Sequence, residues 1–169
     1  MIFSKFLLWV LLLVPNFLME LLAFPLAPFI AALDEPTAKK HFPSFLTPDN
    51  PMTGDAGHEA RWVGKPVYVK KVAWLWRNRT YGFSHEIRAR SRGPVEVTGN
   101  PAVSNRPFFP GLVIRTTPEG YWQLYFVKRT LKGRCLRVNL GWKIWTDPLR
   151  NPHFGQYVVS FNPLMGTEL

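Results

Sequence analysis

The chain has a single cysteine, Cys135, in 169 residues. No intrachain disulfide can form, and a zinc site built on cysteine thiolates is excluded. Acid is also scarce: 11 Asp and Glu stand against 21 Lys and Arg, and they are scattered. Scattered carboxylates argue against paired-carboxylate catalysis. The phosphate-cradling, nucleophile-elbow and metalloprotease patterns GxGxxG, P-loop, GxSxG and HExxH do not occur. His41, His58, His85 and His153 stand without motif context. Cys135 lies beside Arg134, which would favour a thiolate, but a small residue inside a strand is the simpler reading. An enzyme is the least favoured class, and no cofactor is expected. Internal repeats and low-complexity tracts are lacking too.

What the chain does have is a long apolar run at its start. Phe6 to Leu33 carries one charge, Glu20. A bilayer core of about 30 Å needs about 20 apolar residues at 1.5 Å rise each, so the run is long enough to cross. Pro15, Pro25 and Pro28 interrupt it, and each removes a backbone donor. The expectation is a kinked single span, regular from Lys5 to about Phe24 and looser, interfacial, from Phe24 to Leu33. A cleaved signal peptide competes, with Lys5 as its charged region and Phe6–Val14 as its apolar core. The run continues well past an ordinary signal core, so an uncleaved anchor is favoured. Glu20 is an ionisable group at membrane depth and hence a candidate intramembrane functional residue, in oligomerisation or pore formation. Its plainer role is packing near a wet kink.

After the anchor the chain is basic. The formal net charge is +10; Lys5 and Glu20 cancel, so residues 34–169 carry all of it. Such a surface favours anionic phospholipid head groups, an acidic protein or nucleic acid. Lys39 and Lys40 against Lys5 bias the carboxyl domain slightly towards the cytoplasm.

Residues 34–60 read as a Pro-rich connector. Asp49, Asn50 and Asp55 form a turn motif there; their spacing does not fit an EF-hand loop. Residues 61–169 read as a basic α+β domain. Pro66–Arg77 predicts an amphipathic helix, with Pro66 as its start signal and Val69, Val72, Ala73 and Trp76 at helical spacing. Asn78–Ser84 predicts a turn, and Asn78-Arg79-Thr80 matches a glycosylation acceptor pattern. Arg88, Arg90 and Arg92 alternate, then Val95 and Val97, predicting strand, turn, strand. Leu112–Thr116 predicts a further strand.

The clearest pattern is Tyr121–Trp145. Trp122, Leu124 and Phe126 alternate along one strand, and Leu136, Val138, Leu140, Trp142 and Ile144 along the next. A turn with Gly133 joins them, which is a hairpin signature. The apolar set is expected to face the core, and Arg137 and Lys143 to face solvent or a partner. Gln156–Phe161 predicts a last short strand before a tail. The candidate face for an anionic partner is Lys70, Lys71, Arg77, Arg88, Arg90, Arg92, Arg137 and Lys143. The expected fold is α+β: an N-terminal transmembrane or interfacial helix, then a small antiparallel β-meander with one amphipathic helix.

Three blocks, LTPDNPMTGD (46–55), VAWLWRNRTYGFSHE (72–86) and LRVNLGWKIW (136–145), together resemble a family of uncharacterised small proteins of tailed bacteriophages and prophages. That family's pattern is a hydrophobic segment, a TPDN-like turn, a W-L-x-RN-x-x-YGF element and an R-x-x-x-GWK strand. The resemblance implies a phage or prophage origin and a location in the host inner membrane. A single pass is expected there from the apolar run, and a phage or host protein is a further candidate partner. It implies no activity and no catalytic residues. The expected function is therefore a non-enzymatic, membrane-anchored accessory protein. The alternatives are a membrane-tethered binder of single-stranded nucleic acid and a holin-like, lysis-associated envelope protein.

Overall fold

The computed structural model describes residues 2–91, 93–144 and 154–167. Arg92, Trp145 and His153, which the sequence reading used, lie outside them. The chain divides into two compact units, one of Met1–Leu11 with Ile87–Leu169, the other of Leu12–Glu86.

Helix α1 runs from Ile2 to Ala32 with all three prolines inside it. This corrects the expected loosening after Phe24. Each proline leaves the carbonyl four residues earlier without its helical donor. For Pro28 that carbonyl is Phe24 O, and the Trp76 indole Nε1 donates to it at 3.2 Å. Tyr68 Oη donates to Pro28 O at 3.3 Å and Lys71 Nζ to Leu33 O at 3.0 Å. A side chain from a later helix thus replaces the donor that Pro28 removes, and two more bond the carbonyls at the end of α1.

Unit 12–86 is otherwise built of short helices. α2 (Glu35–His41) starts on Asp34, whose Oδ1 accepts from Thr37 N at 2.9 Å. A 3-10 turn follows at Pro43–Phe45. α3 (Ala56–Arg61) starts on Asp55, whose Oδ1 accepts from His58 N at 2.7 Å. α4 (Val67–Arg77) is the expected amphipathic helix, with Pro66 as its N-cap and Asn78 as its C-cap. α5 (Tyr81–Glu86) replaces the turn expected at Asn78–Ser84. Tertiary packing outweighs the turn-forming residues there: Gly82 is buried, and a Cβ on it would stand 2.0 Å from Pro43 O. The core of this unit joins Ala27, Ile30 and Ala31 of α1 to Ala38, Leu46, Met52, Val72 and Leu75.

The other unit holds a five-stranded antiparallel sheet in the order β1 (Glu96–Gly99), β4 (Gly111–Thr116), β5 (Trp122–Leu131), β6 (Arg134–Trp142), β7 (Tyr157–Gly166). β2 (Ser104–Asn105) and β3 (Phe108–Phe109) form a separate two-stranded hairpin. The β5–β6 hairpin stands as expected, Leu131 pairing with Arg134 and Gly133 taking φ +66° in the turn. The strand expected at Arg88–Arg92 is not formed among the described residues; Ala89 is buried there and its N–H donates to Gly155 O at 2.7 Å. β7 reaches Gly166, past the expected end at Phe161, because it pairs with β6 as far as Arg134. Pro163 is tolerated in it because β7 is an edge strand.

The sheet faces are the main correction. Gln123, Tyr125, Val127 and Asn139 lie on the buried face, whereas Leu124, Phe126, Val138 and Leu140 are only half-buried; Trp142 and Ile144 of the apolar set are buried as expected, and Arg137, expected to face outward, pairs with Val127 on the buried face. The polar groups tolerate burial because they bond one another. Arg115 Nη1 donates to Gln123 Oε1 at 3.3 Å, and Gln123 Nε2 donates to Asn139 Oδ1 at 2.9 Å. Tyr125 Oη donates to Asn105 Oδ1 at 2.9 Å from the same face. Val103 and Phe108 pack over Val113, Tyr125, Val127 and Cys135.

Candidate membrane-facing surface

Burial along α1 follows one stripe. Trp9, Asn16, Ala23, Ala27 and Ile30 are buried, at spacings of three, four and seven that repeat on one helix face. The opposite stripe, Phe3, Leu7, Leu11, Val14, Phe17, Leu18 and Leu21, stays exposed; Phe3 reaches 79% and Val14 65%. Contiguous exposed apolar surface of this kind marks a membrane or protein contact. α1 is long and apolar enough to cross a membrane, which a signal sequence near the N-terminus would be as well.

The amino end of α1 belongs to the sheet unit. Trp9 Nε1 donates to Val158 O at 3.3 Å, and Trp9 O accepts from Tyr157 Oη at 3.1 Å. The Trp9 ring stands edge-on to Trp122 at 5.3 Å, and Phe6 lies 5.9 Å from the same indole. Lys5 Nζ sits 4.4 Å over the Tyr121 ring. Burial pushes the Tyr157 phenol well above its ordinary range. Phe3, Phe6, Trp9, Trp122, Leu124 and Leu140 border an open apolar hollow of about 460 Å³.

Within unit 12–86, Glu20 Oε2 lies 3.9 Å from Arg79 Nη2, and Glu20 Oε1 accepts from Asn16 Nδ2 at 3.3 Å. Arg79 also donates to Trp76 O at 2.9 Å and stacks over Phe24 at 4.7 Å. A second apolar hollow, of about 470 Å³, lies between Pro28 and the aromatic side chains of Trp62, Tyr68 and Trp76.

The basic residues singled out from sequence have these places. Lys70 pairs with Glu59 at 2.6 Å, and this hydrogen bond holds the Glu59 carboxyl below the usual carboxylate range. Lys71 caps the end of α1, and Arg77 lies 5.7 Å from the Trp74 ring centre. Arg88 and Arg90 stand in the segment before β1, and Arg90 is exposed. Arg137 Nη2 donates to Ser160 Oγ at 3.4 Å, and Lys143 Nζ donates to Gln156 Oε1. Lys70, Lys71 and Arg77 thus belong to one unit and Arg88, Arg90, Arg137 and Lys143 to the other.

Asp55 serves as the α3 cap, and Asn50 O accepts from Thr47 Oγ1 at 3.4 Å in the same turn. Asp49 shares that turn. Asn78 uses its side-chain amide to bond Trp74 O at 3.1 Å. His58 is buried between Trp62 and Trp74, and its Nε2 donates to Lys70 O at 3.0 Å. Cys135 is wholly buried in β6. Among the described residues no three His, Cys, Asp or Glu side chains are grouped to hold a metal ion.

Sequence reasoning missed Trp9 and Tyr157, and it placed Trp76 on the face of α4 without its bond to α1. Pro28 did signal that Phe24 O needed a donor. Nothing local pointed to a residue 52 positions away.

A model of a family of unknown function, DUF7338, matches residues 1–168. The chain belongs to that family. The match takes in the apolar helix and nearly the whole of both units. No curated protein and no solved structure matches it.

Proposed function

We propose that this protein is a membrane-attached accessory protein of a phage or prophage, with a binding or structural role and no catalytic one. The observation that carries the membrane part is the exposed stripe of α1, from Phe3 to Leu21. Leaving that much apolar side chain in water is unfavourable at roughly 25 cal/mol per Å². The packing of Trp9 against Tyr157 and Val158 supports a helix that is kept, since cleavage would strip a buried indole from the sheet unit. The net charge of +10 suits anionic head groups of a bacterial inner membrane. The phage origin rests on the three sequence blocks. Glu20, placed beside Arg79 and Asn16, supports a packing role rather than a pore.

The test is fractionation of bacteria expressing the full chain, with an alkaline carbonate wash. The expected result is a protein that stays with the membrane pellet. Complete release into the supernatant would overturn the proposal.

A further inference from the structure

Hydropathy alone suggests that α1 crosses the bilayer once. The contacts of its first turns argue otherwise. Trp9 exchanges two hydrogen bonds with β7, and Lys5 Nζ donates to Tyr121 Oη at 3.4 Å. Tyr121 and β7 both follow α1 in the chain. Among the described residues α1 is the one helix long and apolar enough to cross. A chain crossing once in α1 puts the first turns on one side and everything after Ala32 on the other. Lys5 and Trp9 would then be separated from Tyr121 and Tyr157 by the bilayer core.

We propose that α1 lies along the membrane, sunk into one leaflet by its exposed stripe, and that the apolar face of the sheet rests on the same lipid surface as the first turns of α1, which belong to its unit. This rests on the membrane attachment argued above. An in-plane helix needs one apolar stripe towards lipid and one covered stripe, which is the division seen between Phe3–Leu21 and Trp9–Ile30. The sheet adds two apolar rows across four strands. One row is Leu112, Phe126, Val138 and Phe161; the other is Ile114, Leu124, Leu140 and Val159. Phe161 is 70% exposed, and Leu112 and Val159 are exposed as well. The second row runs into the hollow bordered by Phe3 and Phe6 of α1, so the two apolar surfaces are continuous within one unit. The β5–β6 hairpin tip supplies exposed Lys128, Lys132 and Arg134 for anionic phosphates. A second copy is the less suitable occupant, because each copy would bring the same cationic tip and a +10 charge.

Two measurements on the full chain test this. The first places a cysteine before Met1, at Lys65 or at Lys132, and probes right-side-out and inverted inner-membrane vesicles with an impermeant maleimide. Cys135, being buried, stays in place. All three positions are expected to react from the same side. Reaction of the amino-terminal cysteine from the opposite side overturns the in-plane helix and leaves membrane attachment standing. Absence of the protein from the vesicles overturns attachment itself, and this inference with it. The second puts an environment-sensitive dye on Phe161→Cys in phosphatidylglycerol-containing vesicles. A blue-shifted emission quenched by spin-labelled lipid is expected. Quenching by aqueous iodide alone overturns the lipid-facing sheet, and so does protection from both quenchers, which would mean a protein-covered face.

Discussion

The indole N–H of Trp76 donates to the carbonyl of Phe24 at 3.2 Å, the carbonyl that Pro28 deprives of its helical donor. A partner 52 residues away therefore does the work of one missing backbone bond. Trp76→Phe keeps most of the ring and removes the donor, and should cost about 1 kcal/mol of unfolding free energy. In a Pro28→Ala background residue 28 regains its N–H, and the Trp76→Phe cost should shrink. A double-mutant cycle read by denaturant titration in detergent checks this, and additivity of the two changes would contradict it.

Gly82 in α5 is expected to reverse an ordinary rule. Gly→Ala inside a helix usually stabilises by about 1 kcal/mol. Here the new methyl would meet Pro43 O at 2.0 Å and Leu46 O at 2.7 Å, both backbone atoms. Gly82→Ala should lower the melting temperature; a rise would show that α5 does not lie on the Pro43–Phe45 turn.

Gln123 is wholly buried between Arg115 and Asn139. Gln123→Leu puts an apolar side chain in place of the amide and takes the donor from Asn139 Oδ1 and the acceptor from Arg115 Nη1. A buried polar group left unsatisfied costs about 1–3 kcal/mol, so the variant should be destabilised by that order although it is more apolar. Chemical denaturation reads it. A stabilised variant would mean that this sheet face is not covered as described.

Asp34, Glu35 and Glu59 give the helical unit an acid sensitivity. The Asp34 carboxyl is held below its usual value chiefly by the Thr37 N–H, and those of Glu35 and Glu59 by the Lys39 and Lys70 ammonium groups. Their folded values lie below the unfolded ones, so the unfolded chain binds more protons as the solution is acidified. Their stabilisation is full above the unfolded carboxylate values, near pH 4, and is lost as pH falls through the lower folded values. Melting temperature should drop over that acid window, and Glu59→Gln should flatten the drop. Asp34 is exposed and Glu35 and Glu59 are partly exposed, so high salt should weaken the effect.

How much of this was legible in the sequence depends on the range of the cause. The apolar run, the helix at α4 and the β5–β6 hairpin are local patterns, and each stands where its periodicity placed it. Alternation identifies two faces of a strand but not which of them is covered. The face of Gln123 and Asn139 is buried because Arg115 and its neighbours satisfy those amides from adjacent strands. Turn-forming residues at 78–84 likewise say nothing of Pro43 and Leu46, whose backbone gives α5 its seat.

The sequence by itself determined that this protein carries a helix apolar enough to enter a membrane, a basic balance and an antiparallel hairpin, because these depend on residue chemistry at short spacing. Only the tertiary structure decided that the carbonyl deprived by Pro28 finds a new donor and that Trp9 joins β7. Those facts depend on hydrogen bonds from Trp76 and Tyr157, residues that folding alone brings to the helix.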